Sequence, residues 1–507
     1  MRSSGNRSQE LIVNKESGRS PVIAIAGAGF GGLCMGVELK KRGIDSFTIF
    51  EKATDVGGIW RDNTYPGCSC DVPSHLYSFS FEKYRGTGYR YPPQKEILSY
   101  LQGVAQKYGL RRHLRLDSPL TSAEYNEQTG QWTITTGQGE VHLVDVLITA
   151  VGQLHRPRLP DIPGLDDFGG ACFHTAQWDH SQDLTGRNVA VIGNGSSAAQ
   201  LIPIVAEKAH QTYVHQRTPN WVIPKPKAEF GPGTRLALRG LPFLHSVYRT
   251  ATYLAADLAL SPVIARGWSA RPAEWLARRY LRRQVGDPEM RAKMTPDYPI
   301  GCKRIVIDSD FLPAMNRKNV ELVTTRISRI TKTGIEYVDG THQDFDAIVC
   351  ATGFRASEFL VPISVRGKNG AWLHEEWKQG AQAYLGMAFP GFPNLFFIHG
   401  PNTILGHNSN VFMIECQVHY IMNCLRLLGR ADTTSEIEVR PDAMHRYRQT
   451  LDRWIDRTVW VAGCQSWYKN FSGKVTNPWP ASTLRYWRLT RQKPETAFVT
   501  RPVPSQT

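Results

Sequence analysis

The sequence lacks three features that would each indicate another class of protein: a dithiol reductase, a secreted protein or a membrane protein. It has no C-x-x-C pair, no apolar core near its polar N-terminus, and no long uncharged apolar run. A membrane-spanning helix needs about 18 uncharged apolar residues. The most apolar tract, 241–265, contains Arg249, Asp257 and two prolines. We therefore expect a cytoplasmic protein without a signal peptide or a membrane span.

Cysteine is scarce, with nine thiols in 507 residues. Because the number is odd and the positions are scattered, we expect reduced thiols rather than a disulfide scaffold. Cys68 and Cys70 form a C-x-C pair, but no second pair of cysteines or histidines follows at ligand spacing. The sequence therefore predicts no metal site.

Positive charge is in excess, because 60 lysines and arginines face 45 acidic residues and the net charge is +15. Such a balance attracts anions, which include nucleic acid and phosphate-bearing cofactors. The basic residues are mostly dispersed. The densest cluster has helical spacing and is interpreted as a solvated helix face: Arg278, Arg279, Arg282 and Arg283. We therefore expect phosphate-bearing cofactors and no nucleic acid.

Two segments have the strand, glycine turn and helix of a dinucleotide-binding unit. The first turn, at 27–32, reads G-x-G-x-x-G, and the second, at 193–198, reads G-x-G-x-x-A. The first glycine of such a turn permits the tight bend, and the second lets the backbone approach a pyrophosphate. The N-terminus of the following helix then faces the phosphates.

The ends of the second strands differ between the two units. Glu51 lies 24 residues after Gly27, and Arg217 lies 24 residues after Gly193. A carboxylate accepts hydrogen bonds from ribose hydroxyls, which suits FAD, whereas a guanidinium pairs with the 2′-phosphate of NADPH. We therefore predict one FAD and one NADPH.

The order of these units predicts an α/β fold with two Rossmann-like domains. The segments 145–152 and 346–353 share a pattern of Asp, an apolar strand, Ala and Gly, and the second unit lies between them. The predicted divisions are a FAD domain over 19–155 and 390–490, an NADP domain over 156–227 and 300–389, a helical insertion over 228–299, and flexible tails over 1–18 and 491–507.

Two longer motifs carry a resemblance to a known family. Residues 57–71 read GG-x-W-x4-YPG-x3-D, and residues 168–179 read F-x-G-x3-H-x3-W-D. Together with GCKR at 301–304 and ATGF at 351–354, they resemble the signature of the type I Baeyer–Villiger monooxygenases. The resemblance covers about residues 20–490.

The resemblance implies bound FAD, NADPH and dioxygen, and insertion of one oxygen atom next to a carbonyl to give an ester or lactone. It implies that Arg304 and Asp71 are catalytic. A permanent cation suits a peroxyflavin anion, and Asp71 would orient that cation. The resemblance further implies that Lys303 holds the NADP 2′-phosphate and that Trp467 contacts NADP. His174, just before the second unit, is interpreted as organising the domain junction.

The predicted cofactor-binding residues combine the two turns, the strand ends and the family motifs. They are Gly27, Gly29, Gly32, Glu51, Trp60, Asp71, Tyr77, Gly193, Asn194, Gly195, Ser196, Ser197, Ala198, Gln216, Arg217, Lys303, Arg304 and Trp467. Trp60 and Tyr77 either contact the flavin or belong to the core.

Alternatives to the Baeyer–Villiger reaction remain. A flavin monooxygenase that oxidises sulfur or nitrogen shares the scaffold and both cofactors. A plain NADPH-dependent reductase is disfavoured because a redox C-x-x-C is missing. The helical insertion and the loop 405–409 are expected to line the pocket, and their apolar side chains favour a hydrophobic ketone. Aryl, cyclic and steroidal ketones, and any oligomeric state, are compatible with the sequence.

Overall fold

The computed structural model of the chain describes residues 20–84, 88–226, 229–429 and 435–503. The predicted N-terminal tail over 1–18 lies outside these residues. The strands, in chain order, are β1 (Ile23–Ala26), β2 (Phe47–Phe50), β3 (Leu114–Arg115), β4 (Leu120–Asn126), β5 (Gln131–Thr136), β6 (Val141–Val144), β7 (Val146–Thr149), β8 (Ala171–His174), β9 (Asn188–Ile192), β10 (Gln211–His215), β11 (Val222–Ile223), β12 (Val306–Ile307), β13 (Val320–Val323), β14 (Ile327–Ile330), β15 (Gly334–Tyr337), β16 (His342–Asp344), β17 (Ala347–Cys350), β18 (Ser364–Arg366), β19 (Leu395–Phe397), β20 (Ser435–Val439) and β21 (Phe498–Pro502).

The helices vary from single turns to long segments. The α-helices, in chain order, are α1 (Phe30–Lys41), α2 (Ile59–Asp62), α3 (Gln94–Lys107), α4 (Ser196–Lys208), α5 (Pro232–Gly240), α6 (Pro242–Ile264), α7 (Ala270–Gln284), α8 (Pro288–Lys293), α9 (Phe311–Ala314), α10 (Leu373–Glu376), α11 (Asn410–Leu428), α12 (Pro441–Ile455) and α13 (Thr483–Leu489). Short 3₁₀ helices cover Leu110–His113, Leu165–Asp167, Thr175–Gln177, Lys368–Gly370, Val459–Val461 and Pro494–Thr496.

The first glycine turn belongs to a parallel sheet with the strand order β19-β7-β1-β2-β3. The strands β1 and β7 are apolar and buried along their whole length. Such continuous apolar runs are typical of parallel strands that are covered on both faces. Helix α1, which follows the turn, packs against α11.

The second glycine turn belongs to another parallel sheet, with the order β13-β10-β9-β17-β8. Its strands lie between β7 and β19 of the first sheet in the sequence, so the chain leaves the first sheet, builds the second and returns. The two segments with a shared sequence pattern form β7 and β17, which pair with β1 and β9 in equivalent positions. The exact domain boundaries stay a prediction.

Proline does not end helices as often as its chemistry suggests. Pro203 is expected to kink or shorten its helix because it lacks an N–H. However, α4 continues past it to Lys208, with Ile202 and Val205 buried on either side of it. Pro242 and Pro288 begin α6 and α8, where the missing N–H costs nothing.

Two expectations are corrected by contacts between distant segments. Cys302 and Cys464, 162 residues apart in sequence, form a disulfide, so the expectation of reduced thiols is wrong for this pair. The predicted flexible tail over 491–507 is wrong in part, because β21 pairs with β20 through residues 498–502. Residues 504–507 lie outside the described part. Among the described residues, no helix is both long and apolar enough to span a bilayer.

Candidate active site

The first glycine turn is shaped by close backbone contacts. Gly27 has a φ of 102°, and a Cβ there would lie 2.7 Å from the carbonyl oxygen of Ala150 at the end of β7. Gly29 is the N-cap residue of α1, and no side chain caps that end of the helix. The helix N-terminus therefore offers uncapped N–H groups and the positive end of its dipole to a phosphate.

Glu51 lies beside this turn at the end of β2, and it is buried. Its carboxylate accepts hydrogen bonds from the N–H groups of Ala28 and Ala53, at 2.7 and 3.1 Å. Arg61 pairs with the same carboxylate at 3.0 Å. The two N–H groups and the guanidinium give this buried carboxylate polar partners, and a carboxylate at this position can accept hydrogen bonds from ribose hydroxyls. Sequence reasoning missed Arg61, although it follows the GG-x-W motif directly.

The second glycine turn repeats this arrangement with more free space. Gly193 has a φ of 117° next to Ala351, while a Cβ at Gly195 would meet nothing within 4 Å. Asn194 Nδ2 donates to Gln216 Oε1 at 2.9 Å and thereby joins the turn to the end of β10. The backbone at Gly195 is thus open to the approach of a pyrophosphate.

Two cations meet at the end of β10. Lys303 Nζ donates to Thr218 Oγ1 at 2.6 Å. Burial, and then the positive charge of Arg217, lower the pKa of Lys303, so the two cations lie within electrostatic reach of one another. Neither forms an ion pair within the described part of the chain. Two unneutralised cations beside a nucleotide turn fit a 2′-phosphate, and sequence reasoning missed Thr218 as their neighbour.

We expect Arg217→Ala and Lys303→Ala each to raise the KM for NADPH about tenfold, because each removes a charged partner of the 2′-phosphate. The KM for NADH should change little, since NADH lacks that phosphate. Steady-state kinetics with both nucleotides measures the ratio, and Lys318→Ala, an exposed lysine before β13, is the matched control. An unchanged NADPH/NADH preference in Arg217→Ala would show that this role is wrong.

Asp71 and Arg304, 233 residues apart in sequence, form an ion pair. Arg304 Nη2 lies 2.8 Å from Oδ1 and 2.7 Å from Oδ2 of Asp71. The negative charge of Asp71 raises the pKa of Arg304 above its ordinary value despite burial. The Arg304 side chain is 29% exposed, against 13% for Asp71. The carboxylate thus holds a permanent cation that keeps part of its surface free for another negative group.

Aromatic side chains surround this ion pair. Trp60 Nε1 donates to the Tyr77 hydroxyl at 3.1 Å, and Phe30 at the start of α1 packs edge-on against Tyr77 at 5.1 Å between ring centres. Burial raises the pKa of Tyr77, and the charge of Arg304 acts against that shift, which places Tyr77 near the guanidinium. Phe30 and Tyr77 therefore form an aromatic pair that begins at the first glycine turn and lies within electrostatic reach of Arg304.

Trp467 and Tyr468 approach the site from the C-terminal segment. Their rings lie 4.6 Å apart, and the Cys302–Cys464 disulfide joins this segment to the turn that carries Lys303 and Arg304. Burial raises the pKa of Tyr468 to about 12, and the positive charge of Arg304 opposes the rise. Sequence reasoning missed Tyr468, although it is adjacent to the predicted Trp467.

His174 is buried at the end of β8. Its contacts are with Ala176 and Phe354 rather than with Asp71 or Arg304. Its Nδ1 accepts the N–H of Ala176 at 3.0 Å, and its ring packs edge-on against Phe354 at 5.9 Å. Burial lowers the pKa of His174 to about 4, so the imidazole is neutral at pH 7. The ring contact joins the motif at 168–179 to ATGF at 351–354, and the role of His174 at the domain junction stays a prediction.

A profile of the flavin-binding monooxygenase-like family matches residues 20–366. A Baeyer-Villiger monooxygenase of Streptomyces coelicolor is 40% identical over 486 residues, which cover 96% of this chain and 93% of the relative. The chain belongs to the flavin-binding monooxygenase-like family. A Baeyer-Villiger monooxygenase of Pseudomonas aeruginosa is 39% identical over 478 residues, covering 94% of this chain and 90% of the relative.

Solved structures place the chain among the same flavin-binding monooxygenases. A steroid monooxygenase bound to NADP has a TM-score of 0.84 and 31% identity, over 96% of this chain and 100% of that chain. A cyclohexanone monooxygenase from Rhodococcus sp. Phi1 bound to NADP+ has a TM-score of 0.83 and 28% identity, over 95% and 100%. The predicted α/β fold, the resemblance to the Baeyer–Villiger monooxygenases and the flavoprotein monooxygenase class are confirmed.

Proposed function

We propose that this chain uses FAD, NADPH and dioxygen to insert one oxygen atom next to the carbonyl of a hydrophobic ketone. The overall reaction consumes the ketone, O₂, NADPH and a proton, and it yields an ester or lactone, NADP+ and water. The observation that carries the proposal is the part-exposed Arg304 guanidinium, held by Asp71 in a bond of 2.7 Å.

Bound FAD would supply the activation of dioxygen with electrons from NADPH. Gly27, Gly29, Gly32 and Glu51 would hold it, and Trp60, Tyr77, Asp71 and Arg304 would lie at its reactive end. The second turn at 193–198, with Gln216, Arg217, Lys303 and Trp467, would hold NADPH. These groupings are supported by the open backbone at Gly195 and by the paired cations at the end of β10.

Arg304 would stabilise the negative charge on the activated oxygen, both before this oxygen attacks the carbonyl carbon of the ketone and during the attack. A guanidinium suits this work because it does not lose its proton in a dry site, whereas a lysine can. One nitrogen of the guanidinium, Nη2, contacts both oxygens of Asp71 and holds the side chain in place. The edge of the guanidinium away from Asp71 remains free. Asp71 would act as the positioning residue for Arg304.

The substrate would lie where the loop 405–409 meets the helical insertion. Asn408 Nδ2 donates to the backbone carbonyl of Tyr253 on α6 at 3.4 Å, and His407 Nε2 lies 3.5 Å from an oxygen of Asp257. Phe412 packs against Tyr253 with 5.0 Å between ring centres. Two polar contacts thus hold the segments together, and the aromatic pair of Tyr253 and Phe412 supports a hydrophobic ketone.

The test is a panel of aryl, cyclic and steroidal ketones with a sulfide alongside, using purified yellow holoenzyme, NADPH and ¹⁸O₂. We expect an ester or lactone with one labelled oxygen from at least one ketone. Product is measured by mass spectrometry rather than by NADPH loss, because release of hydrogen peroxide also consumes NADPH. Catalase is added to remove the free peroxide. Labelled sulfoxide with no ester from any ketone would favour the alternative heteroatom oxidation.

A further inference from the structure

Helix α6, the longest helix of the described residues, turns its charged side chains inward. Asp257 is buried and accepts hydrogen bonds from the N–H and the hydroxyl of Thr483, at 2.9 and 2.8 Å. Arg249 donates to the backbone carbonyls of His75 and Ser78, at 2.6 and 2.9 Å. The polar groups of α6 therefore attach the helix to the rest of the protein.

The outward side of α6 is apolar. Phe243, Val247, Ala251, Leu254 and Leu258 follow one another at intervals of three or four residues, which places them on one side of a helix. All five are exposed, Leu258 by 65% and Phe243 by 62%. At 1.5 Å per residue they form a stripe about 22 Å long. Helices on a protein surface normally have the reverse arrangement, with polar groups outward.

The neighbouring helices extend this apolar surface. Both α5 and α7 pack against α6. Leu236 on α5 is 74% exposed, and Trp268, in the turn between α6 and α7, is 73% exposed. Trp275 and Leu276 on α7 are exposed as well. Single exposed apolar residues are common, but a run of them across three adjacent helices marks an interaction surface.

The charges of the same segment are almost all positive. Between residues 231 and 285 the acidic residues are Asp257, which is buried, and Glu274, which accepts the N–H of Ile300 at 3.1 Å. Six arginines are exposed and form no ion pair with a described residue: Arg266, Arg271, Arg278, Arg279, Arg282 and Arg283. Unpaired arginines next to exposed tryptophans and leucines suit a partner that is apolar inside and negatively charged at its surface.

We propose that α6, together with Trp268 and the arginines of α7, docks this protein on the surface of an anionic lipid bilayer. The helix would lie in the plane of the interface, with its apolar stripe among the upper acyl chains. Tryptophan prefers the level of the headgroups, and arginines near an anionic surface add electrostatic attraction to the lipid. A second copy of the chain fits less well, because it would bring a like-charged surface against this one.

The experiment is co-sedimentation of the holoenzyme with vesicles of phosphatidylcholine alone or with about 30% phosphatidylglycerol, an anionic content chosen to attract basic residues. We expect binding to the anionic vesicles, and weaker binding when salt is raised from about 0.1 M to about 0.5 M, because salt screens the arginines. The double variant Leu254→Glu/Leu258→Glu should lower the partition coefficient at least about tenfold, since it places two charges among acyl chains.

The matched control is Val141→Glu/Leu143→Glu on β6, where the side chains are 61% and 60% exposed but lie outside the helical segment. It should bind anionic vesicles as the unchanged protein does. Bound FAD and thermal unfolding establish that both double variants are folded. Three results would each overturn the proposal: no binding to anionic vesicles, equal loss in both double variants, or a dimer in sedimentation velocity that Leu254→Glu/Leu258→Glu converts to monomer.

Discussion

Arg304→Ala is expected to lose ester formation by about a thousandfold while NADPH still reduces the bound flavin. Removing one donor that stabilises a developing oxyanion typically costs 10²–10³ in rate, and here the donor is also the permanent charge of the site. Hydride transfer from NADPH does not create that negative charge on oxygen. The two half-reactions should therefore separate in this variant.

Stopped-flow bleaching of the flavin under anaerobic conditions measures the first half-reaction, and labelled ester measures the second. Arg304→Lys keeps a charge but loses the contact of one nitrogen with both Asp71 oxygens, so we expect a smaller recovery of ester. The matched control is Arg329→Ala, an exposed arginine of β14 that pairs with Glu336 at 2.8 Å. Normal ester formation by Arg304→Ala would show that Arg304 has no catalytic role.

Gly32→Ala is expected to lower the free energy of unfolding by about 3 kcal/mol or more and to yield protein without FAD. A Cβ at Gly32 would overlap the carbonyl oxygen of Gly27, which is backbone and cannot rotate away. Either α1 moves away from the turn or the turn opens. Either movement would distort the helix N-terminus, which is the part of such a turn that binds a phosphate.

Two other helical glycines provide a graded control. Gly103 in α3 has nothing within 4 Å of its Cβ position, so Gly103→Ala should stabilise the protein by about 0.5–1 kcal/mol. Gly36 in α1 would place its Cβ 3.1 Å from Ile49 Cδ1, a side-chain end that can shift, so its cost should be intermediate. Thermal unfolding and the flavin absorbance per chain rank the three variants. FAD at full occupancy in Gly32→Ala would contradict the assigned role of the turn.

The sequence predicted the fold to a considerable depth because much of it is encoded in short segments. The two turns and the strands before them follow from local spacing, and β1 and β9 precede the two turns in the structure. The equivalent positions of Glu51 and Arg217 follow from their equal distance of 24 residues from the first glycine of each turn. The ion pair of Asp71 and Arg304 was expected from the cost of burying an unpaired guanidinium and from the family resemblance.

Other features lay outside the reach of local patterns. Nothing near Cys302 or Cys464 indicates that they meet, and the pairing of β21 with β20 joins residues more than fifty positions apart. The tract 241–265 is plainly apolar in sequence, with Arg249 and Asp257 as interruptions. Which of its sides faces outward depends on Thr483, His75 and Ser78, which no pattern within the tract contains.

The sequence by itself therefore determined the two strand, glycine turn and helix units, the charged residue that follows each second strand, and the family of the chain, because backbone turns and strand ends are set by neighbours within about 30 residues. Only the tertiary structure decided that Arg304 keeps a free edge beside Asp71, that Tyr468 lies within electrostatic reach of this pair, and that α6 turns its apolar side outward. These properties depend on contacts between segments that are far apart in sequence, and such contacts are set only when the whole chain packs.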